Sequence, residues 1–162
     1  MFRKLPDIAP AVALLLAVAA PASAQAPGTQ TLTFTELDKG STFNFIDNPP
    51  KSPRRHGQPT RLSPGDVFVF TSPLRDSAGQ RFGRLRATCF VTRPGRPDNP
   101  RADCFGVYSL PAGQLWASAT TGSSTTAGAI LAGTGAYADM HGTFVSKDTK
   151  TGSDDTVTLV AG

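Results

Sequence analysis

The sequence predicts an all-β protein built as one eight-stranded antiparallel up-and-down β-barrel with one disulfide. Beyond an N-terminal leader, the chain contains eight short runs of β-branched and aromatic residues, each bounded by Gly, Pro, Asp or Ser. No segment shows a convincing apolar period of an amphipathic helix. Most connections are short enough to join antiparallel neighbours, and closure into a barrel removes the exposed edges that an open sheet would leave.

The N-terminal segment predicts an export signal. A basic pair precedes an apolar run over residues 8–20, and the small residues at 22–24 match the pattern that signal peptidase cleaves. The run is shorter than the roughly 20 residues needed to cross a bilayer and contains a proline, which argues against a membrane anchor. We therefore expect a signal peptide at residues 1–24, one β-barrel domain at residues 25–162, and a secreted or periplasmic location.

The predicted strands follow one another through the mature chain. They cover residues 31–37, 66–74, 84–92, 102–110, 114–121, 126–132, 142–147 and 156–161. Two connections are longer than the others. Residues 43–64 carry five prolines and a basic cluster and predict an irregular flap or crossover, whereas residues 93–101 predict a stiff polar hairpin loop.

Cys89 and Cys104 are the only cysteines of the sequence, and in an exported chain such a pair predicts a disulfide. If they face each other across antiparallel strands, the pairing also sets the register around them. It places Ala87 opposite Gly106, Leu85 opposite Tyr108 and Val91 opposite Ala102. All of these residues are apolar, small or aromatic, so this face is the predicted interior. Tyr108 then points inward, either as a core tyrosine whose hydroxyl bonds to the backbone or as a catalytic group.

The basic residues are unevenly distributed along the chain. Residues 51–101 contain eleven lysines and arginines against three aspartates. This segment predicts either a surface for anionic partners or an arginine-rich solvated face, and the lack of interleaved aromatic residues favours the solvated face over a nucleic-acid site. Two cysteines and two distant histidines do not provide the spacing of a metal site, so we expect neither a metal nor another cofactor.

Five segments occur in an order and spacing that resemble the allene oxide cyclase barrel family and, more distantly, the dirigent proteins. They are LTFTELDKGS (32–41), PGDVFVFTSPL (64–74), FGRLRATCFV (82–91), FGVYSLPAGQL (105–115) and AILAGTGAYADMHGTF (129–144). In the resembled barrels the last segment turns tightly across one barrel end. The resemblance implies that Gly133, Gly135 and Gly142 serve this turn and that Tyr137 plugs the end. A phosphate-binding loop is the alternative for these glycines, but it would require a lysine and a helix that do not follow.

The resemblance also implies a pocket. In allene oxide cyclases an apolar barrel isomerises an unsaturated fatty-acid epoxide, with a carboxylate on the first strand and polar groups deeper in the cavity. The candidate pocket of this chain consists of Thr33, Thr35, Phe70, Ser72, Tyr108 and Thr121. The glutamate of the family falls on Thr33, whereas Glu36 has the opposite strand parity and is expected to point outward. Asp154 and Asp155 are expected to be solvated in a turn, so the plant cyclase catalytic set is missing.

Three functions stay open. Small inward residues at Ala87, Gly106, Ala117 and Ala119 favour an open lumen, which predicts binding of one small apolar molecule. The first alternative is an isomerase or cyclase that folds an unsaturated substrate in the cavity and needs few titratable groups. The second is a non-catalytic secreted interaction module with a filled barrel. The expected lack of a catalytic carboxylate favours binding, and the resembled families imply a homo-oligomer, since they form trimers.

Overall fold

The computed structural model describes residues 28–48, 54–55, 58–96, 99–122 and 124–162. The predicted signal peptide lies outside these residues. Within them, the structure has no helix with the length and apolar character needed to span a bilayer.

Strands make up nearly all of the regular structure. They are β1 (Gln30–Leu37), β2 (Thr42–Ile46), β3 (Arg54–Arg55), β4 (Gln58–Pro59), β5 (Val67–Arg75), β6 (Arg81–Arg96), β7 (Asn99–Leu110), β8 (Gly113–Thr120), β9 (Thr125–Gly133), β10 (Met140–Asp148) and β11 (Gly152–Ala161). A 3-10 turn, Gly135–Tyr137, joins β9 to β10. β-branched and aromatic residues suit the pleated backbone, and their alternation gives each barrel strand one apolar face.

Eight of these strands close into an antiparallel barrel. β1 pairs with β11, and the sheet continues through β10, β9, β8, β7 and β6 to β5. The barrel closes where β1 returns to β5, with Thr35 opposite Arg75 and Glu36 opposite Leu74. β2 continues along the same edge of β5 beyond the short β1 pairing. The predicted eight-stranded antiparallel barrel is confirmed.

The two long connections contain more strand than expected. The segment 43–64 was predicted as an irregular flap, but β2 begins at its start and β3 pairs with β4 as a separate two-stranded ribbon. The flap prediction was wrong for β2 because Phe43 and Phe45 alternate with polar residues and face the interior side of β5. The Phe43 ring stacks on Phe68 with centroids 5.8 Å apart.

The loop prediction for residues 93–101 was also wrong, because β6 continues to Arg96 and β7 begins at Asn99. Leu62 supplies the missing neighbour for this part of the hairpin. Its backbone amide donates to the Gly95 carbonyl at 2.9 Å, and the Gly95 amide donates back at 3.2 Å. These bonds satisfy backbone groups that would otherwise face solvent beyond the barrel wall.

The register around the disulfide is as predicted. Cys89 and Cys104 are bonded and lie directly opposite each other on β6 and β7. The same ladder contains the predicted pairs, which are Ala87 with Gly106, Leu85 with Tyr108 and Val91 with Ala102. The Tyr108 side chain points inward and is only 2 % exposed.

One end of the barrel is filled by a dense apolar core. Its buried side chains include Phe34, Leu74, Leu110, Leu115, Ile130, Tyr137, Val157 and Leu159. Tyr137 lies in the 3-10 turn and is buried, as the resemblance implied. A side chain at Gly133 would collide with the Tyr137 backbone, and Gly135 has a φ of +64°, a region that glycine adopts readily. Gly142 lies within β10, opposite Ile130 and Leu159.

Candidate functional site

The barrel lumen contains a cavity of about 160 Å³. Its lining extends from Tyr108 and Leu85 to Pro100 and Thr121, which lie where β7 begins and β8 has ended. The cavity therefore extends away from the end that Tyr137 fills. Its size is close to that of an apolar cavity of about 150 Å³ that accepts benzene in another protein.

The wall of the cavity is mostly apolar. It includes Phe68, Phe70, Leu85, Ala87, Gly106, Ala117, Ala119 and Phe144. The small residues that predicted an open lumen are all part of this wall. Cys89 and Cys104 also line it, and because they are bonded to each other they present a disulfide to the lumen and no thiol.

Glu36 lies at a polar end of the cavity, so the prediction that it points outward was wrong. Leu32, Phe34 and Glu36 alternate along β1, and Phe34 is buried in the core. Two residues later, the same strand face carries Glu36 into the lumen. The Ser153 hydroxyl donates to Glu36 Oε2 at 3.4 Å. Burial raises the pKa of the Glu36 carboxyl, and hydrogen bonds from Ser72 and Ser153 lower it in part.

Asp155 lies next to this polar end and is 2 % exposed. The Tyr108 hydroxyl donates to its Oδ2 at a long distance of 3.5 Å. Its Oδ1 is buried without a hydrogen-bond partner among the described residues. Burial raises the pKa of the Asp155 carboxyl to about 7; the Ser146 and Tyr108 hydroxyls lower it, and the charge of Glu36 raises it further.

Tyr108 lines the cavity directly and lies close to both carboxyl groups. Burial raises the pKa of its phenol well above the ordinary value, and the charges of Asp155 and Glu36 raise it further. The phenol therefore keeps its proton and acts as a hydrogen-bond donor. Its ring packs edge-on against Phe34 and Phe144, with centroid distances of 5.3 and 6.1 Å, which holds the hydroxyl in place.

Four of the six predicted pocket residues face the lumen. Phe70, Tyr108 and Thr121 line the cavity, and Ser72 is buried within hydrogen-bonding reach of Glu36. Their geometry fits a pocket, while their role stays a prediction.

The other two predicted pocket residues, Thr33 and Thr35, do not line this cavity. Thr33 is exposed, and the Thr35 hydroxyl donates to the exposed Asp154 carboxylate at 3.0 Å on the outer face. Their assignment to the lumen was wrong because matching the allene oxide cyclase pattern to this chain placed the odd-numbered residues of β1 inside the barrel. The strand turns its even-numbered residues inward, since Leu32 and Phe34 are the apolar ones.

Sequence reasoning missed Glu36 and Asp155, although an alternation signal was present for both. Asp155 was expected in a solvated turn, but β11 begins at Gly152 and already includes it. Val157 and Leu159 are fully buried. Residues two apart in a strand point to the same face, so Asp155 shares the inward face of Val157 and Leu159. In the same way, Glu36 shares the inward face of Phe34.

Among the residues that the structure describes, the remaining polar side chains form no comparable site. Asp66 is buried, but the backbone amides of Asn48 and Ser63 donate to it at 3.0 and 2.7 Å and give it a structural role in the loop before β5. His141 is exposed, and His56 lies outside the described residues. Within the described ranges, no group of three His, Cys, Asp or Glu residues is arranged to hold a metal ion.

Comparisons with known proteins agree with this architecture. No protein-family model and no curated protein sequence matches the chain. Among solved structures, pyocyanin demethylase superposes with a TM-score of 0.60 and 26 % identity, over 82 % of this chain and 99 % of that one. The Diels-Alderase AbmU from Streptomyces koyangensis superposes with a TM-score of 0.57 and 18 % identity, over 87 % of this chain and 72 % of that one.

A pterocarpan synthase dirigent protein also superposes, with a TM-score of 0.58 and 14 % identity, over 83 % of this chain and 84 % of that one. The fold is that of the dirigent and cyclase barrels. At their level of identity, the Diels-Alderase and the dirigent protein establish this fold and nothing about the chemistry of the lumen.

Proposed function

We propose that this barrel binds one small, largely apolar molecule in its lumen and isomerises or cyclises it by proton transfer. The observation that carries the proposal is the Glu36 carboxyl at the polar end of an apolar cavity that is about the size of one six-membered ring. The sequence alone favoured binding without catalysis because it placed no carboxyl group inside the barrel. With Glu36 in the lumen, that reason no longer applies.

Glu36 is the general base and acid of this proposal. Its carboxyl takes a proton from a carbon next to a carbonyl group of the bound molecule and returns the proton at a conjugated carbon. The Tyr108 hydroxyl donates a hydrogen bond to the oxygen on which negative charge develops. A phenol has one proton, and in the structure Asp155 Oδ2 accepts it. Asp155 acts as a positioning residue because below about pH 7 its carboxyl keeps a proton of its own, which it donates to the phenol oxygen, and the phenol proton is then free for the substrate oxygen.

Two further observations support the proposal. The similar solved structures named as a pyocyanin demethylase and a Diels-Alderase indicate that barrels of this type act on small molecules. The disulfide between Cys89 and Cys104, together with the signal peptide that the sequence predicts, supports export to an oxidising compartment, either the periplasm or the exterior.

The isomerisation of 3-cyclohexen-1-one to its conjugated isomer tests proton transfer in the lumen. The substrate has one ring, and the reaction moves one proton without another reagent. We expect the protein to accelerate the reaction above buffer and Glu36→Gln to lower kcat/KM by about 100-fold or more, as for the loss of a general base. The absorbance of the conjugated ketone measures the rate.

Asp154→Asn is the matched control, because it removes a neighbouring carboxylate from the outer face. It should keep the full rate. A protein that binds the ring but does not exceed the buffer rate would overturn proton transfer and leave a binding barrel. Full activity in Glu36→Gln would overturn the role given to Glu36.

A further inference from the structure

We propose that the molecule held in the lumen carries two fused aromatic rings. The inner ring lies in the cavity, and the outer ring projects from it onto the exposed side chain of Phe43. This inference rests on the proposed function, because the same lumen holds the inner ring and the carbonyl group attached to it. It adds a contact outside the cavity and a substrate class, the flat two-ring carbonyl compounds.

Three phenylalanine rings form a row that begins in the wall of the cavity. Phe68 and Phe70 both line the cavity, and their ring centroids are 6.5 Å apart with the planes inclined by 23°. The Phe43 ring continues the row, because its centroid lies 5.8 Å from that of Phe68 and the two planes are inclined by 27°. These distances are ordinary for aromatic pairs. The row therefore connects the cavity wall with Phe43 through direct ring contacts.

Strand pairing places Phe43 on the lumen side of the sheet. Phe43 is directly opposite Phe70 in the ladder between β2 and β5. Opposite residues of a ladder point to the same face, and Phe70 lines the cavity. Phe45, two residues further along β2, confirms this orientation because it packs against the buried cluster that contains Phe68 and Cys89.

Although it points to the lumen side, the Phe43 side chain is 60 % exposed, more than any other large apolar side chain of the described residues. Within the described part of the chain, no strand pairs with the other edge of β2, so the sheet supplies no further wall to cover the ring. A flat apolar group laid against Phe43 would remove this surface from water. The ring is therefore an open contact beside the cavity.

The dimensions of the site favour two rings over one. The cavity of about 160 Å³ has room for one ring, so a second ring must lie outside it. Glu36 is opposite Leu74 on β5, and Phe43 is opposite Phe70, four residues away on the same strand. At about 3.4 Å per residue, these two positions are about 14 Å apart. Because both side chains extend into this gap, two fused rings with a conjugated carbonyl group bridge it.

Calorimetric titration with cinnamamide and with 3-(2-naphthyl)acrylamide tests this inference. The two neutral ligands share the conjugated amide and differ by one fused ring. We expect Phe43→Leu to weaken binding of the naphthyl ligand by about three- to tenfold, which is the effect of losing one aromatic pair, and to leave the affinity for cinnamamide unchanged. Phe43→Trp should keep the affinity for the naphthyl ligand, because it keeps an aromatic ring at this position.

Phe105→Leu is the matched control. Phe105 is 56 % exposed, but it lies between the cavity-lining Cys104 and Gly106 and so points to the outer face of β7. This variant should keep both affinities. An unchanged affinity for the naphthyl ligand in Phe43→Leu, or an equal loss for both ligands, overturns the contact with Phe43 and leaves the proposed function standing, as does a wild type that binds cinnamamide alone. If neither ligand binds to the wild type, the lumen site fails and both proposals fall with it.

Discussion

At the scale of single residues, strand parity decides which acidic groups belong to the site. Asp154 and Asp155 are neighbours in the chain, yet Asp154 is exposed and bonded to Thr35 while Asp155 is buried beside Tyr108. The same rule separates Glu36 from Thr35. Successive side chains of a strand point to opposite faces. If the residues of a related family are aligned one position off, a side chain that faces solvent is therefore assigned to the lumen.

Asp155→Asn should change how stability depends on pH. The pKa of the Asp155 carboxyl is about 7 in the folded protein, against an ordinary value of 3.8. Between these values the unfolded chain has lost the proton and the folded protein keeps it, so wild-type stability falls as pH rises from about 4 to about 7 and is level above that. The asparagine variant should lose the part of this fall that Asp155 causes, which is up to about 4 kcal/mol at pH 8, and keep the part that comes from the raised pKa of Glu36.

Chemical denaturation at a series of pH values measures this effect. Asp154→Asn is the control and should keep the wild-type slope, because it leaves the buried carboxyl in place. An Asp155→Asn variant whose stability falls with pH as steeply as that of the wild type would contradict the assignment of the raised pKa to Asp155.

At the scale of elements, the β6–β7 hairpin contributes a large part of the cavity wall. It contributes Ala87 and Gly106 to the wall and the disulfide to the lumen. The cysteine pair predicted the register of the hairpin correctly from Leu85 to Val91, because one pair of opposite residues sets the neighbouring pairs of a regular ladder; beyond Val91 the register shifts. Its extension was not predicted, because that part depends on pairing with Leu62 from a distant segment.

Replacing both cysteines by alanine should destabilise the barrel without changing the register. The disulfide joins residues 15 positions apart. A loop of that length corresponds to about 3 kcal/mol of unfolded-state entropy at 25 °C. We expect the free energy of unfolding in urea to fall by that amount, and the reduced wild-type protein, as control, to fall similarly. A loss below about 1 kcal/mol would show that the bond contributes little to stability.

At the scale of the whole molecule, closure of the barrel creates the site. Tyr108 and Asp155 are 47 positions apart in the sequence and meet across the lumen, between strands that are not neighbours in the sheet. Large apolar residues fill the end near Tyr137, while small residues leave the other end open. The cavity therefore exists because the inward-facing side chains are large at one end of the barrel and small at the other.

Ala87→Leu should fill part of the cavity and weaken binding. Ala87 is buried between Phe70 and Gly106 in the ladder and lines the lumen. A larger apolar side chain there occupies empty space, so we expect the free energy of unfolding to fall by no more than the roughly 1–3 kcal/mol that is typical of a small-to-large core substitution. The affinity for cinnamamide should fall by tenfold or more, about the loss expected when one side chain takes the space of a ligand ring.

Calorimetry and thermal unfolding measure the two effects together. Thr88→Leu is the control, since the next residue of the strand faces outward and should leave the affinity unchanged. Unchanged cinnamamide binding in Ala87→Leu would place the ligand outside the lumen.

Sequence reasoning alone was enough for the barrel class, the order of its eight strands, the disulfide, the register around it and the small residues that leave a lumen. These features depend on the alternation of apolar and polar residues within each strand and on the one cysteine pair, both of which can be read from the sequence. The closed barrel is what brings Glu36 and Asp155 close to Tyr108. Those contacts depend on how a closed, tilted sheet brings distant strands together, and burial then raises the pKa of both carboxyl groups.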